Sequence, residues 1–393
     1  MNLTYKYHIN PTKQQEQDLN AMLGAFCDLY NAGLQQRIEA YQRQRVSLSC
    51  ITQCNELKAV RLIDERLASY SFSAEQQVMR RLDKSFKAFF TRVGKKGKAG
   101  FPRFQKKSRY DSAEFRVGDG LTIKKEKLGV VGIGGGVRVN WHRALPVKPK
   151  SAVLMRKCGK WYICFQIELP DVDIVEPANP VGIDVGLNTL CVMSDGSTID
   201  HPRYYRKATA KTRRLQRKLS RCKRNSKRRA KVRQNLARHS ARVANQRRDY
   251  AHKKTTELVK KYDGFAFENL QIKNMCKSNM AKSIYDAAWN QITSFIEYKA
   301  ASAGIRCVKV DPRGTSQSCS ECGSVPVVKK TLAIRTHVCS DCGYVADRDV
   351  NAARNILQRS RLGSSQRTLI KTGGSRIVRE AAPPLGGGSS LYH

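Results

Sequence analysis

Acidic side chains are scarce in this chain. Its 393 residues hold 32 Asp and Glu against 73 Lys and Arg, a formal charge of +41. Residues 206–248 contain no acid at all beside 19 Lys and Arg. A surface charged only for solubility mixes its signs, and helices gain from opposite charges four residues apart. So one-sided an excess repels itself unless a polyanion lies against it. The composition therefore points to nucleic acid, gripped through sequence-blind phosphate contacts that weaken with salt. Membrane attraction is the competing explanation. It finds no support, because there is no apolar run of 18 residues and the opening Met-Asn-Leu-Thr-Tyr-Lys-Tyr-His lacks a signal-peptide core. A paired cysteine framework is also missing. The 13 cysteines are odd in number, which argues against a disulfide-stapled scaffold and predicts a reducing cytoplasm. Cys50 and Cys54 lie four apart, but with no second pair nearby they read as small apolar residues.

What the sequence does hold is Cys319, Cys322, Cys339 and Cys342 in the spacing C-x₂-C-x₁₆-C-x₂-C. Two such pairs bind one tetrahedral Zn²⁺ through four thiolates about 2.3 Å away. Four thiolates leave no open position for water, so the expected zinc is structural. Seven residues on, Asp349 stands in Ala-Asp-Arg-Asp-Val-Asn-Ala-Ala-Arg-Asn at the predicted start of a helix. Two more acids are isolated in apolar runs. In residues 180–190, strand alternation puts Ile183 and Val185 on one face and Asp184 on the other. In residues 262–270, Phe265 and Phe267 share a face while Glu268 emerges opposite them near the strand end. A carboxylate in a buried strand is costly unless it is paired or holds a metal. Two strand acids and one helix-start acid can converge on divalent cations. Paired Mg²⁺ ions about 4 Å apart activate water and stabilise the leaving oxygen of a phosphodiester.

These stretches resemble the TnpB family, insertion-sequence OrfB proteins related to type V CRISPR effectors. The resemblance is carried by Gly182-Ile183-Asp184-Val185-Gly186, Phe267-Glu268-Asn269-Leu270 and the segment from Lys273-Asn274-Met275 to Trp289. Thr315-Ser316-Gln317-Ser318-Cys319, the second Cys-x-x-Cys-Gly and Asp349-Val350-Asn351-Ala352-Ala353-Arg354-Asn355 continue it. It is looser in Tyr5-Lys6-Tyr7, Pro11-Thr12-Lys13-Gln14 and Gly100-Phe101-Pro102-Arg103-Phe104, and spans residues 1–357. It implies an α/β, RuvC-like (RNase H-fold) nuclease core with an inserted zinc ribbon. A wedge-like β-barrel with a helical recognition insertion would precede that core. It implies Asp184, Glu268 and Asp349 as catalytic ligands of two Mg²⁺ ions. Asp347 is set aside, since the family pattern puts the ligand in Asp-x-Asn-Ala. The implied activity is an RNA-guided DNA endonuclease encoded by a transposable element, in the prokaryotic cytoplasm at the nucleoid. A guide RNA from the element's end would pair with double-stranded target DNA, cut beside a short adjacent motif. Gln76, Gln77 and Arg80 are the implied readers of that motif. A nuclease-inactive RNA-guided repressor and a transposition accessory protein binding element ends are the alternatives; the repressor would be expected to have lost an acid. A Holliday-junction resolvase fits the fold but not the large basic N-terminal lobe.

Patterning places these pieces along the chain. Leu3, Tyr5 and Tyr7 alternate as a strand, whereas Leu19, Leu23, Phe26, Leu29, Tyr30 and Leu34 keep helical spacing. Short strands follow from Phe115 to about Leu169. The expected domains are a barrel at 1–11 and 111–175, a helical lobe at 12–110, a nuclease domain at 176–310 and 343–357, and a ribbon at 311–342. Residues 358–393, rich in Gly, Ser and Pro, are expected to be a disordered tail. In the basic segment, Leu215, Leu219, Val232, Leu236 and Val243 form only a thin apolar stripe. Arg213, Arg214, Arg217, Lys218, Arg224 and Arg228 are its candidate nucleic-acid contacts. Arg103 is another, in a basic loop with interleaved aromatics that reads equally as base stacking or loop packing. Ile284, Trp289, Ile292 and Ile296 read as a core helix.

Overall fold

The computed structural model describes residues 1–362 apart from 96, 98, 278, 279, 328, 329 and 332. Contacts divide the chain into two units, one of residues 1–171 with 208–245, the other of 172–207 with residues from 246 onward.

The first unit holds β1 (Asn2–Asn10), β2 (Ser112–Val117), β3 (Gly120–Lys124), β4 (Lys127–Val130), β5 (Val137–Asn140), β6 (Ser151–Lys157) and β7 (Lys160–Glu168). They close into a barrel in the order β1-β5-β4-β3-β2-β6-β7, sealed by antiparallel pairing of β1 with β7. Alternation builds it: Trp161, Ile163, Phe165 and Ile167 of β7 are buried, and the residues between them are not. Between β1 and β2 the chain forms α1 (Lys13–Gln44), α2 (Cys50–Ile63), α3 (Glu65–Ala68) and α4 (Phe72–Gly94). Thr12 opens α1 with a reciprocal cap. Its hydroxyl accepts from the Gln15 backbone at 3.2 Å, and the Gln15 side chain accepts from the Thr12 backbone at 3.1 Å. Leu19, Leu23, Phe26 and Leu34 of α1 share one core with the barrel, and Cys50 and Cys54 pack against it.

The second unit is built on β8 (Pro180–Val185), β9 (Thr189–Met193), β10 (Thr198–Asp200), β11 (Gly264–Glu268) and β12 (Arg306–Val310). Their order is β10-β9-β8-β11-β12; β8, β11 and β12 run parallel, while β9 is antiparallel to β8 and β10. The connection from β10 to β11 is α5 (Tyr204–Ser220) and α6 (Lys227–Lys261), whose residues 208–245 group with the first unit. From β11 to β12 run α7 (Ile272–Met275), α8 (Ala281–Ala287) and α9 (Trp289–Ser302). Ile284, Trp289, Ile292 and Ile296 are buried, as their spacing predicts. After β12 come the paired strands β13 (Thr336–Val338) and β14 (Val345–Asp347), then α10 (Arg348–Ser360).

Helix α10 lies against β8 so closely that a Cβ on Gly182 would meet the Ala353 carbonyl oxygen at 2.1 Å. Ala352, Ala353 and Ile356 bury the facing stripe. The helix runs through Ser360, three residues into the segment expected to be a disordered tail. Two contacts carry it that far: the Gln358 side-chain amide donates to the Ser320 carbonyl at 2.7 Å, and Leu362 is buried with Ala266, Val310 and Ile356. Residues 363–393 of that expected tail lie outside the described residues. Among the described residues, no helix is long and apolar enough to cross a membrane.

Because neither helix nor strand backbone yields easily, Gly182→Ala is expected to overpack this contact and destabilise the protein by about 1–3 kcal/mol. Thermal unfolding of the variant checks this; an unchanged midpoint contradicts the tight seating.

Candidate metal centres and nucleic-acid interface

The four cysteines meet. Cys319 and Cys342 sulfurs lie 3.7 Å apart, Cys322 and Cys339 sulfurs 3.6 Å, and all four within 4.8 Å of one another. Tetrahedral thiolates about 2.3 Å from one ion sit about 3.8 Å apart, so the cluster has the dimensions of a zinc site. Both knuckles have one design. The Cys319 N–H donates to the Ser324 carbonyl and the Cys339 N–H to the Tyr344 carbonyl, at 2.8 and 2.9 Å. The residue after each second cysteine, Gly323 or Gly343, takes a left-handed φ of 78° or 71° that a side chain would strain. Backbone N–H groups of Cys342 and Asp341 hold the Cys339 thiol down to about 7, whereas the Cys342 and Cys322 thiols beside it are raised, so without a metal the four do not ionise together.

Asp184 sits near the end of β8, Glu268 at the last position of the neighbouring β11, and Asp349 in the first turn of α10. Parallel pairing of β8 with β11 and the seating of α10 bring them together. Burial pushes the Asp184 carboxyl up to about 7, and the charges of Glu268 and Asp349 push it the same way. Burial also raises Glu268, against the Thr315 hydrogen bond and the charge of Arg359. Asp349 is raised by burial and by Asp347, against Arg335 and Arg348; the Arg335 guanidinium is 3.8 Å from its carboxylate. Among the described residues, the thiols alone form a set of three or more ligand atoms all within 4.8 Å of one another. Asp347 is engaged elsewhere. Its carboxylate caps α10, accepting from the Asp349 and Val350 N–H groups at 2.8 and 3.2 Å.

Residues that sequence reasoning left without a role join the two centres. The Thr315 hydroxyl, buried at 2% exposure, lies 2.5 Å from a Glu268 carboxylate oxygen and 3.0 Å from the Pro312 carbonyl. The shorter, charge-assisted contact takes the proton. Asn351 and Asn355, on one face of α10, hold the backbone that leads from Thr315 into the first knuckle. Asn351 accepts from the Ser320 N–H at 2.9 Å and donates to the Ser318 carbonyl at 2.8 Å. Asn355 donates to the Thr315 and Ser318 carbonyls, both at 2.8 Å. The one sequence signal was their place inside the motif stretches: Thr315 precedes Cys319 by four residues, and both asparagines follow Asp349.

The candidate nucleic-acid contacts belong to other elements. Arg213, Arg214, Arg217, Lys218 and Arg228 line an open cleft of about 820 Å³ together with Arg221, which sequence reasoning missed, and no acid lines it. Arg224 is exposed in the turn between α5 and α6. Arg229, in contrast, closes that turn by donating to the Leu219 and Cys222 carbonyls. Gln76, Gln77 and Arg80 are half-buried on α4, beside Glu75, which is fully buried and bonded to Arg61 at 2.6 Å. Arg103 is exposed in the loop after α4.

A closed four-thiol knuckle thus stands beside a trio of carboxylates on a sheet and its covering helix, two sets of side chains with the chemistry to hold metal ions. Comparison with known proteins narrows this. Residues 164–279 match the family of IS605 OrfB proteins, described as "Probable transposase", and residues 289–356 match the Cas12f1-like TNB domain. Residues 1–45 match a helix-turn-helix domain of the same OrfB proteins, although here they form β1 and the single helix α1. The chain is 32% identical to a Streptomyces pristinaespiralis protein named "Putative RNA-guided DNA endonuclease", over 96% of this chain and 95% of that one. It is 29% identical to Escherichia coli InsQ, given the same description, over 90% and 91% of the two chains. A 61-residue stretch is 49% identical to the CRISPR-associated endodeoxyribonuclease Cas12f1 of Sulfoacidibacillus thermotolerans, over 16% of this chain and 14% of that one. The chain belongs to the TnpB family, the OrfB proteins of IS605-type insertion sequences.

Little apolar core lies between Cys322 and Cys339, so metal binding is expected to supply much of the folding free energy of this segment. Metal analysis should find about one zinc per chain, and Cys339→Ser should lose it and speed hydrogen exchange across both knuckles. A zinc-free preparation with unchanged exchange there would contradict a structural site.

Proposed function

We propose that this protein is an RNA-guided, Mg²⁺-dependent DNA endonuclease encoded by a transposable element, cutting target DNA next to a short adjacent motif. The observation that carries the reading is that β8, β11 and α10 bring Glu268 and Asp349 near enough to the buried Asp184 for their charges to raise its carboxyl. It occurs in a chain similar over nearly its whole length to relatives named as RNA-guided endonucleases. The sheet order, with the first strand central, two strands antiparallel on one side and two parallel on the other, supports an RNase H-like core. Bound at the three carboxylates, magnesium would activate water and stabilise the leaving oxygen of the phosphodiester. The chain's own residues prepare that site. Asp184, Glu268 and Asp349 would hold the ions; the Thr315 hydroxyl fixes the Glu268 carboxylate, and Asp347 fixes the helix end that presents Asp349. The arginine-lined cleft would carry phosphate backbone. Retention of all three acids speaks against the nuclease-inactive repressor.

Two tests follow. Replacing Asp184, Glu268 or Asp349 by Ala is expected to abolish Mg²⁺-dependent cleavage and spare nucleic-acid binding, while exchanging the guide portion of the co-purifying RNA redirects cutting to the matching DNA. Cutting of any duplex without RNA contradicts the guided reading; full activity of Asp349→Ala with loss in Asp347→Ala contradicts the third ligand.

The second test reads stability. Asp184 holds its proton to about pH 7 in the fold but only to about 3.9 when unfolded. Its contribution to the metal-free fold is therefore full below about pH 4, declines as pH rises to about 7, and is flat above. A divalent ion needs the ionised carboxylates, so the rise in melting temperature on adding Mn²⁺ should be larger at pH 8 than at pH 6. Asp184→Asn should melt higher than the parent at pH 8 without metal and lose the Mn²⁺ increment. A pH-independent increment contradicts the coupled site.

A further inference from the structure

Away from both metal centres, the end of α4 and the loop after it are unusual in composition. Residues 84–110 contain ten Lys and Arg, five Phe and no Asp or Glu. The phenylalanines gather at the surface. Phe101 sits edge-on to Phe86 and Phe89, with ring centroids 5.6 and 5.3 Å apart, and Phe89 is 5.1 Å from Phe90. Arg92 near the end of α4 donates to the Gly100 carbonyl at 3.0 Å, tying the loop back so that Phe101 lies on the helix. The clustered rings are not covered: Phe90 is 61% exposed and Phe101 47%, and Phe104, three residues along the loop, is 53% exposed. Loop packing therefore does not account for them, since packing would bury the rings it uses. Around them Lys84, Lys95, Arg103, Lys106 and Arg109 are exposed.

Two of the cations pair with acids outside the segment, Lys87 with Asp83 and Lys107 with Asp28; exposed aromatic faces among the remaining cations fit a strand whose bases are free to stack and whose phosphates need neutralising. A duplex keeps its bases stacked on one another, and a protein partner would have to be unusually acidic. We propose that Phe90 and Phe101 form a stacking platform for unpaired nucleotides of a nucleic-acid strand, with the surrounding Lys and Arg holding its phosphates. This rests on the nucleic-acid reading of the charge and specifies which part of the partner this surface takes.

The test uses full-length protein freed of co-purifying nucleic acid by high salt. Its probes are an oligothymidylate of about 16 nucleotides and an abasic strand of equal length. Phe90→Ala with Phe101→Ala is expected to weaken oligothymidylate binding about ten-fold or more, leaving abasic binding and the salt dependence unchanged, because no phosphate contact is lost. Phe90→Leu with Phe101→Leu keeps apolar bulk and should lose nearly as much; it also guards against an alanine pair that folds poorly, which its melting temperature would reveal. Wild-type affinity for oligothymidylate in both pairs, or equal losses on the two strands, overturns the platform and leaves the surface to a protein partner. Failure of the parent protein to bind either strand overturns the polyanion reading itself, and the platform with it.

Discussion

Three carboxylates that repel one another share a gap in the nuclease-type unit, and the close seating of α10 on β8 is what forces them to. Gly182 allows the helix backbone to approach where any side chain would collide. With α10 that close, Asp349 comes within electrostatic reach of Asp184, and burial leaves Asp184 poised near pH 7. An apolar contact thus sets up an unfavourable polar one, tolerable because the fold is held elsewhere and because a cation can relieve it. Strained charge of this kind concentrates at functional sites more than in ordinary surface ion pairs.

The four-cysteine knuckle and the carboxylates are one mechanical assembly. The loop entering the first knuckle carries Thr315, whose hydroxyl orients Glu268, and the helix carrying Asp349 grips that loop through Asn351 and Asn355. Each amide is buried and bonded, so losing one partner would strand the other at about 1–3 kcal/mol. A closed metal site far from chemistry would serve local stability alone. Here its loop ends on a carboxylate, so a metal held by the four thiols would also steady the geometry of Glu268.

Charge is distributed to the same end. The carboxylates lie on the sheet and α10, while the unpaired positive charge concentrates on α5, α6 and the α4 loop. Helix α5 and residues 227–248 of α6 carry no acid, so their like charges gain nothing from each other, and α5 buries no residue of its own. Their shape makes sense with a polyanion supplying the missing charge.

Much of this was legible in the residues themselves. Metal-ligand spacing announced the cysteine cluster, because four thiols at those intervals have few other uses. Period-two alternation in residues 160–168 announced a barrel strand, and isolated acids in apolar strands marked Asp184 and Glu268. Tertiary structure alone decided the rest. That Thr315 touches Glu268 depends on residues 47 positions apart meeting across a sheet edge, which no local pattern encodes. Asp347 and Asp349, two residues apart, look alike in composition; only the fold shows that Asp347 caps the helix while the charge of Asp349 reaches Asp184. Helix α10 outran the expected tail because its last turn gains partners from distant loops rather than from its own periodicity. Sequence carries what each residue must avoid or bind, such as charge without a partner or thiols without a metal. Only folding decides which neighbour meets that need, since contact energies are earned between segments far apart along the chain.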